Sequence, residues 1–203
     1  MELSSPIDLL TMFAILANTI TVLNTIIYIY SIYKGKTKPH TFTWFNWTIL
    51  SAITAYAQFS VNGGLSTWIF AFSALTMFLV TIISLFKGVK KIAKSDWFAF
   101  LIALTIIPIW YTTKNPVLAL VLIMVIDIFS YFPTVRKSWI KPFSEPASVY
   151  FLAVLNSALT VVSIAEPTLS NTFYPAFVVL LDLGFMLMLL IRRTELEKYK
   201  LAA

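Results

Sequence analysis

Long apolar runs separated by short polar segments fill most of this chain. A helix needs roughly 20 mostly apolar residues to cross the hydrocarbon core of a bilayer. Six of the seven runs meet this length, and the fourth is shorter and contains Pro108. None shows the alternation of a barrel strand, so each run is predicted to be a membrane-spanning α-helix. In order, the runs are Leu9–Tyr33, Thr41–Ser60, Leu65–Phe86, Trp97–Tyr111, Val117–Thr134, Ala147–Ala165 and Thr172–Ile191.

The composition narrows the class of protein further. Of the 203 residues, 59% are hydrophobic and 12% are charged, and the mean hydropathy is +0.85. These values are typical of an all-α integral membrane protein, so the lipid bilayer is its predicted surrounding. Cysteine is absent, which excludes disulfide bonds and thiolate metal sites.

The basic residues fall on alternate connections between the runs. Fourteen of the fifteen Lys and Arg lie in four clusters, and the other connections carry one. Because Lys and Arg near span ends are retained on the cytoplasmic side, the N-terminus is predicted outside and the C-terminus in the cytoplasm of a plasma, inner or organelle membrane. The net charge of +6 follows from this topology and gives no reason to expect nucleic acid as a partner. The clusters are Lys34/Lys36/Lys38, Lys87/Lys90/Lys91/Lys94, Arg136/Lys137/Lys141 and Arg192/Arg193/Lys198/Lys200.

The chain also contains an internal repeat. A shift of 103 residues places the first run and its basic loop over the fifth, and a shift of 105 places the third run over the seventh. The sequence therefore predicts two parallel three-helix repeats, 7–88 and 115–193, joined by a linking helix at 95–112 and followed by a cytoplasmic tail at 194–203. The aligned pairs include Asn24 with Asp127, Tyr28 with Tyr131, Ser31 with Thr134, Lys34 with Lys137, Lys38 with Lys141, Pro39 with Pro142 and Phe72 with Phe177.

The segment SYFPTVRKS, from Ser130 to Ser138, resembles the PQ-loop motif, in which a helix ends in Pro-Gln before a basic loop. Thr134 stands at the glutamine position. The three-one-three arrangement resembles that of SWEET sugar facilitators, PQ-loop lysosomal exporters and KDEL-receptor-type proteins. The resemblance implies a transporter that works by alternating access, with its site near mid-membrane between the repeats. Pro133 is the predicted hinge, because proline removes a helical donor and kinks a helix.

Two acidic residues lie inside the predicted spans, Asp127 in the fifth and Asp182 in the seventh. A charge at mid-bilayer costs roughly 2.5–3.5 kcal/mol on insertion scales, so each is expected to face the bundle interior, a water cavity or a partner. Both are candidates for solute binding or proton coupling, and the alternative is a structural carboxyl. Asp182 is similar in position to the acid of the proton-coupled PQ-loop exporters.

Polar residues recur at helical spacing on three runs. Such stripes either line a cavity or tie helices together, and three of them on helices that the repeat brings together favour a cavity. Trp44 is expected in the interfacial aromatic belt. The stripes are Thr21, Asn24, Tyr28 and Ser31; Trp44, Trp47, Ser51, Thr54 and Gln58; and Asn156, Thr160 and Ser163. The predicted substrate or coupling residues are Asp127, Asp182, Asn24, Asn156, Tyr28, Tyr131, Trp47, Ser51 and Thr54.

Several residue types and motifs that mark other functions are absent from the sequence. No lysine lies within a span, so a retinal Schiff base cannot form, and the single histidine, His40, is expected to be a solvated loop residue. The sequence shows no metal-ligating cluster, phosphate loop or catalytic triad, so no enzyme, metal or cofactor is predicted. The predicted function is transport of a small polar solute, such as a sugar, amino acid or vitamin. The alternative is a ligand-binding or sorting receptor on the same scaffold, and the oligomeric state is left open.

Overall fold

The computed structural model describes residues 9–60, 65–112, 116–164 and 169–202. Within these ranges the chain forms seven α-helices, one 3₁₀ turn at Pro142–Ser144 and no β-strand. The predictions of an all-helical fold and of seven helices are therefore confirmed. The helices are α1 (Leu9–Tyr33), α2 (Thr41–Ser60), α3 (Leu65–Lys87), α4 (Lys94–Thr112), α5 (Pro116–Ile140), α6 (Ala147–Val162) and α7 (Leu169–Ala202).

Three helices extend beyond the apolar runs that predicted them. In α5 the added turns carry Arg136 and Lys137, whose side chains find buried acidic partners inside the bundle. Hydropathy marks where a segment stops being apolar, whereas helical hydrogen bonding continues as long as polar side chains are accommodated. The segment 194–203, predicted as a tail, is therefore helical up to Ala202. The new bounds are the start of α4 at Lys94, the end of α5 at Ile140 and the end of α7 at Ala202.

The helices pack so that a space is left between them. α2 packs along α3, and α6 packs along α7. α1 lies against α6 and α3, while α5 lies against α2 and α7. α4 packs on α5 and also contacts α2. Three apolar clusters hold these contacts: Tyr28/Ile32/Val80/Val149, Tyr131/Tyr150/Phe185/Leu189 and Leu50/Ala103/Ile126.

The outer surface of the bundle exposes many large apolar side chains, and its interior holds polar as well as apolar ones. Phe86, Leu180 and Phe98 are 73%, 67% and 66% exposed. Among the described residues, buried polar or charged side chains are at least as numerous as buried hydrophobic ones. Large exposed apolar patches of this kind are typical of surfaces that contact lipid or another protein.

Two helical stretches in the described parts of the chain are long and apolar enough to cross a membrane, Leu9–Tyr33 and Thr172–Lys198. Shorter apolar stretches occur at Ala71–Lys87 and Ala147–Val162. The chain is thus a helical protein with two candidate membrane-spanning helices.

The end of α3 makes one close backbone approach. The amide N–H of Val89 donates to the carbonyl oxygen of Pro39 at 3.0 Å. A Cβ atom at Gly88 would collide with the carbonyl oxygens of Ser84 and Pro39. Glycine therefore lets the loop after α3 pack directly on the loop before α2.

Candidate functional site

A cavity of about 300 Å³ lies between the helices. Among the described helices, all except α4 contribute side chains to its wall. The wall combines hydroxyl, amide and carboxyl groups with aromatic rings and seven other apolar side chains. The aromatic members are Trp44, Trp47, Tyr131, Tyr150 and Tyr174.

Most of the residues predicted as a site line this one cavity. Tyr28 lies beside it, where its hydroxyl accepts a hydrogen bond from Trp44 Nε1 at 3.2 Å. The side chain of Thr54 lies outside the described residues. Pro133 is fully buried within a continuous α5. The predicted residues in the wall are Asn24, Trp47, Ser51, Asp127, Tyr131, Asn156 and Asp182.

Asp127 projects from α5 and is held by two neutral donors. Trp47 Nε1 donates to its Oδ1 at 2.8 Å, and the Tyr174 hydroxyl donates to its Oδ2 at 3.2 Å. The residue is 5% exposed. An indole N–H can only donate, so the carboxyl oxygen that faces Trp47 acts as an acceptor.

Asp182 on α7 is held in the same way from α5 and α6. The Tyr131 hydroxyl donates to its Oδ1 at 3.3 Å, and the Ser157 hydroxyl donates to its Oδ2 at 3.1 Å. The rings of Tyr131 and Trp47 pack edge to face at a centroid distance of 5.0 Å. The two carboxyl groups are therefore connected through two aromatic side chains that contact each other.

Two asparagines complete the polar wall. Asn156 Nδ2 donates to the carbonyl oxygen of Ala17 and to Thr21 Oγ1, both at 2.6 Å, and so ties α6 to α1. The amide oxygen of Asn24 is buried with no hydrogen-bond partner among the described residues. Because a buried acceptor without a donor is costly, Asn24 is suited to receive an N–H or O–H group from a ligand.

Trp44 was expected in the aromatic belt at the membrane interface, and its position in the structure is different. It lines the cavity rather than an interfacial belt. Its ring lies 4.7 Å from the ring of Tyr28 and 5.3 Å from that of Trp47. The i, i+3 spacing of the two tryptophans puts both on one helix face, and that face is turned inward.

A buried ion pair lies next to the cavity on the side of the basic loops and is linked to the wall through Tyr150. Lys137 binds Glu145, which is 1% exposed. The hydroxyls of Tyr28 and Tyr150 donate to the two oxygens of Glu145 at 3.1 and 3.2 Å. Lys137 also donates to the carbonyl oxygen of Lys38 at 2.7 Å. We call Tyr28, Lys137, Glu145 and Tyr150 the Glu145 cluster.

A second buried network lies on the same side. The Arg136 guanidinium donates to both oxygens of Asp96 at 2.6 Å, and His40 Nε2 lies 3.2 Å from the same carboxyl. Burial raises the pKa of Asp96, but the hydrogen bonds from Arg136 and from the amide N–H of Ala93 outweigh it and hold this pKa below its usual value.

The expectation of a solvated His40 is wrong. The residue is completely buried. Burial lowers the pKa of its imidazole, the Asp96 carboxylate opposes this effect, and the positive charges of Lys137 and Arg136 add to it. The ring is therefore neutral at pH 7, with Nε2–H donating to Asp96.

The sequence did not single out Asp96, Glu145, Tyr150, Ser157 or Tyr174 as site residues. Asp96 and Glu145 each lie within a basic segment of the sequence, and this position could have identified them. An acid in such a segment tends to pair with basic residues once both are buried. No sequence pattern marked Tyr174 or Ser157 as a site residue. They matter only because their helices pack beside Asp127 and Asp182.

Among the described residues, no group of three His, Cys, Asp or Glu side chains could hold a metal ion. The chain matches no protein-family model, no curated protein and no solved structure.

Proposed function

We propose that the chain is a membrane transporter that moves a small polar solute by alternating access between two three-helix units. The observation that carries the proposal is one cavity with two carboxyl groups in its wall, lined by helices from both units, with a buried ion pair beside it on the side of the basic loops. The resemblance to the SWEET and PQ-loop proteins points in the same direction.

The apolar outer face supports a location across the bilayer. The side chains that it exposes would be unfavourable in water and favourable in lipid. All seven helices would cross, including those that are less apolar, because their polar residues face inward toward the cavity. The clustering of basic residues favours an external N-terminus and a cytoplasmic C-terminus.

The packing pattern supports the two-unit organisation. If α1, α2 and α3 correspond to α5, α6 and α7, then each principal contact has a counterpart. The contact of α2 with α3 matches that of α6 with α7, α1 with α3 matches α5 with α7, and α1 with α6 matches α5 with α2. Such exchange is expected of parallel repeats related by an axis along the membrane normal.

Individual contacts recur as well. Ser51 Oγ on α2 lies 3.2 Å from Met77 Sδ on α3, and Ser157 Oγ on α6 lies 3.1 Å from Asp182 on α7. Met77 occupies the position equivalent to Asp182 at the shift of 105 residues, as Asn24 does for Asp127 at the shift of 103. Both cavity carboxyls would then belong to the second unit, and the first unit carries neutral side chains in their place.

The Glu145 cluster supports alternating access because it joins the two units on the side of the basic loops. Tyr28 and the carbonyl of Lys38 belong to the first unit, while Lys137 and Glu145 belong to the second. Opening toward the basic loops would break these contacts. The protein would thus be in a state closed to the cytoplasm, and Pro133, one turn before Lys137, is the proposed hinge.

Counterflow in proteoliposomes tests transport directly. Proteoliposomes containing the purified protein are loaded with an unlabelled solute chosen from a thermal-shift screen of sugars, amino acids and vitamins. We expect these proteoliposomes to accumulate the labelled solute transiently. Acceleration by an imposed pH gradient would identify the proton as the coupling ion. Protein-free liposomes are the control.

A receptor on the same scaffold is the second candidate, and one observation favours it: α7 continues to Ala202, so its last turns form an ordered helical surface on the side of the basic loops. A receptor binds its ligand without catalysing exchange. Tight binding from the screen with no counterflow for any bound solute would therefore contradict the transporter.

A further inference from the structure

The cavity carries acidic groups with no basic side chain to balance them. Asp127 and Asp182 lie in its wall, and none of the described wall residues is a lysine, arginine or histidine. Asp127 is almost fully buried. A carboxylate in such a place is unfavourable unless a cation compensates its charge or a proton removes it.

The bundle treats its other buried acids differently. Asp96 is bound by the Arg136 guanidinium, and Glu145 by the Lys137 ammonium. The donors to the cavity carboxyls are all neutral, namely Trp47, Tyr174, Tyr131 and Ser157. The chain therefore supplies a basic partner to two acids outside the cavity and leaves the two inside it for an external partner.

The wall keeps several unused hydrogen-bond acceptors. Asn24 Oδ1 is buried without a donor. Each oxygen of Asp127 and Asp182 accepts one hydrogen bond in the described structure and keeps a further lone pair. These acceptors suit a ligand rich in N–H groups or carrying a diffuse positive charge, and they are unsuited to an anion.

Aromatic rings stand beside these acceptors. Trp47 binds Asp127 through its indole N–H and packs its ring against Tyr131, whose hydroxyl binds Asp182. The two carboxyls thus flank one pair of rings. Faces of Trp and Tyr attract ammonium groups within about 6 Å, most strongly when water is excluded.

We propose that the solute is a small organic cation, whose ammonium or quaternary ammonium group is held by Asp127 and Asp182 against the rings of Trp47 and Tyr131. The proposal rests on the transport function above, because it names the solute of the same cavity. Protons and inorganic cations are the competing sources of positive charge, and the aromatic wall favours the organic ion.

Shape-matched pairs of probes test the charge requirement on the unmodified protein. Choline is compared with its neutral analogue 3,3-dimethylbutan-1-ol, and 2-phenylethylamine with 2-phenylethanol, by calorimetry of the full chain in lipid nanodiscs. We expect each cation to bind at least about tenfold more tightly than its neutral partner, the size expected of one charged hydrogen-bonding group. Equal affinities within both pairs, or heat from sodium chloride alone, would overturn the proposal.

Carboxyl variants test the site. Asp127→Asn and Asp182→Asn should each weaken choline binding by about tenfold or more, because each removes one negative charge while keeping the side-chain shape. Glu195→Gln is the matched control, since it removes one charge from a side chain that is 45% exposed near the end of α7. Unchanged choline affinity in both Asn variants, with unchanged Tm, would sink the assignment.

Comparing choline binding with solute counterflow tests this proposal separately from the transport function. Charge-dependent choline binding without choline counterflow would leave the cation site standing and overturn transport. Counterflow of a neutral solute, with no binding of choline or 2-phenylethylamine, would leave transport standing and overturn the cation.

Discussion

At the residue scale, the neighbours of each buried ionisable group decide its charge. Asp96 and Glu145 have strong basic partners, and their charge is part of how the basic-loop side of the bundle is held together. Asp127 has only neutral donors. His40 receives one carboxylate and two nearby positive charges, and its complete burial makes it neutral. The buried acids on the basic-loop side thus have basic partners within the protein, whereas the acid in the cavity wall has none among the described residues.

His40 gives a pH-dependent contribution to stability whose sign can be worked out. Its folded pKa lies below the unfolded value of about 6.5, so the unfolded chain binds more protons as the pH falls below this value, and the folded state loses stability. The contribution is fully present above about pH 6.5. Asp96 has a lowered pKa, so its own contribution is lost only at much lower pH, below the unfolded value of about 3.9.

His40→Gln tests this account, because glutamine can donate to Asp96 and does not titrate. We expect the Tm of the natural protein, minus that of the variant, to fall as the pH is lowered from 7.5 to 5.5 in detergent. Arg136, with a raised pKa, and Asp96, with a lowered one, keep their charges over this range. A difference in Tm that stays constant with pH would show that His40 is not the group responsible.

At the element scale, the ends of the helices depend on what their polar side chains meet. α5 continues past Thr134 because Arg136 and Lys137 reach Asp96 and Glu145. The 3₁₀ turn at Pro142–Ser144 then redirects the chain into α6. The Arg193 guanidinium on α7 donates to the carbonyl oxygens of Pro142 and Glu145, which fixes this corner. α5, α6 and α7 therefore meet at the Glu145 cluster.

A double-mutant cycle measures how strongly this corner is held. Lys137→Met leaves the Glu145 charge buried without a cation and should cost about 3–5 kcal/mol of unfolding free energy. Glu145→Gln should cost a similar amount, and the double variant should recover much of the loss because neither charge remains. The measurement is denaturant unfolding in detergent. Additive losses in the double variant would mean that the two side chains do not interact.

At the scale of the whole molecule, the proposed topology requires every helix to cross the membrane. Among the described residues, two stretches are long and apolar enough to cross a membrane. α4 is the most informative of the others, because it separates a cluster of lysines from a connection that has few charges. Its crossing is required if the repeats are parallel.

Single cysteines test the crossing of α4, and the absence of natural cysteine makes the labelling specific. Lys90 precedes α4 and Thr112 ends it, and both side chains are exposed. In intact cells, a membrane-impermeant maleimide should label Thr112→Cys and should label Lys90→Cys only after permeabilisation. Labelling of both from outside would refute the proposed topology.

The sequence by itself determined the number of helices and most of their limits, because hydropathy is a local property that persists over each run. α1 and α2 begin and end where the apolar pattern does. Helical spacing also placed Asn24, Trp47 and Asn156 on inward faces, since residues three or four apart share one side of a helix.

Only the tertiary structure decided which of these faces meet and what closes the space between them. Tyr28 and Glu145 are 117 residues apart in sequence, and Trp47 and Asp127 are 80 apart. His40 lies in a segment that is locally polar, yet it is completely buried and its ring pairs with Asp96. Periodicity records the side of a helix on which a residue lies, whereas burial and charge pairing depend on the packing angle and partner of that helix, which no local pattern contains.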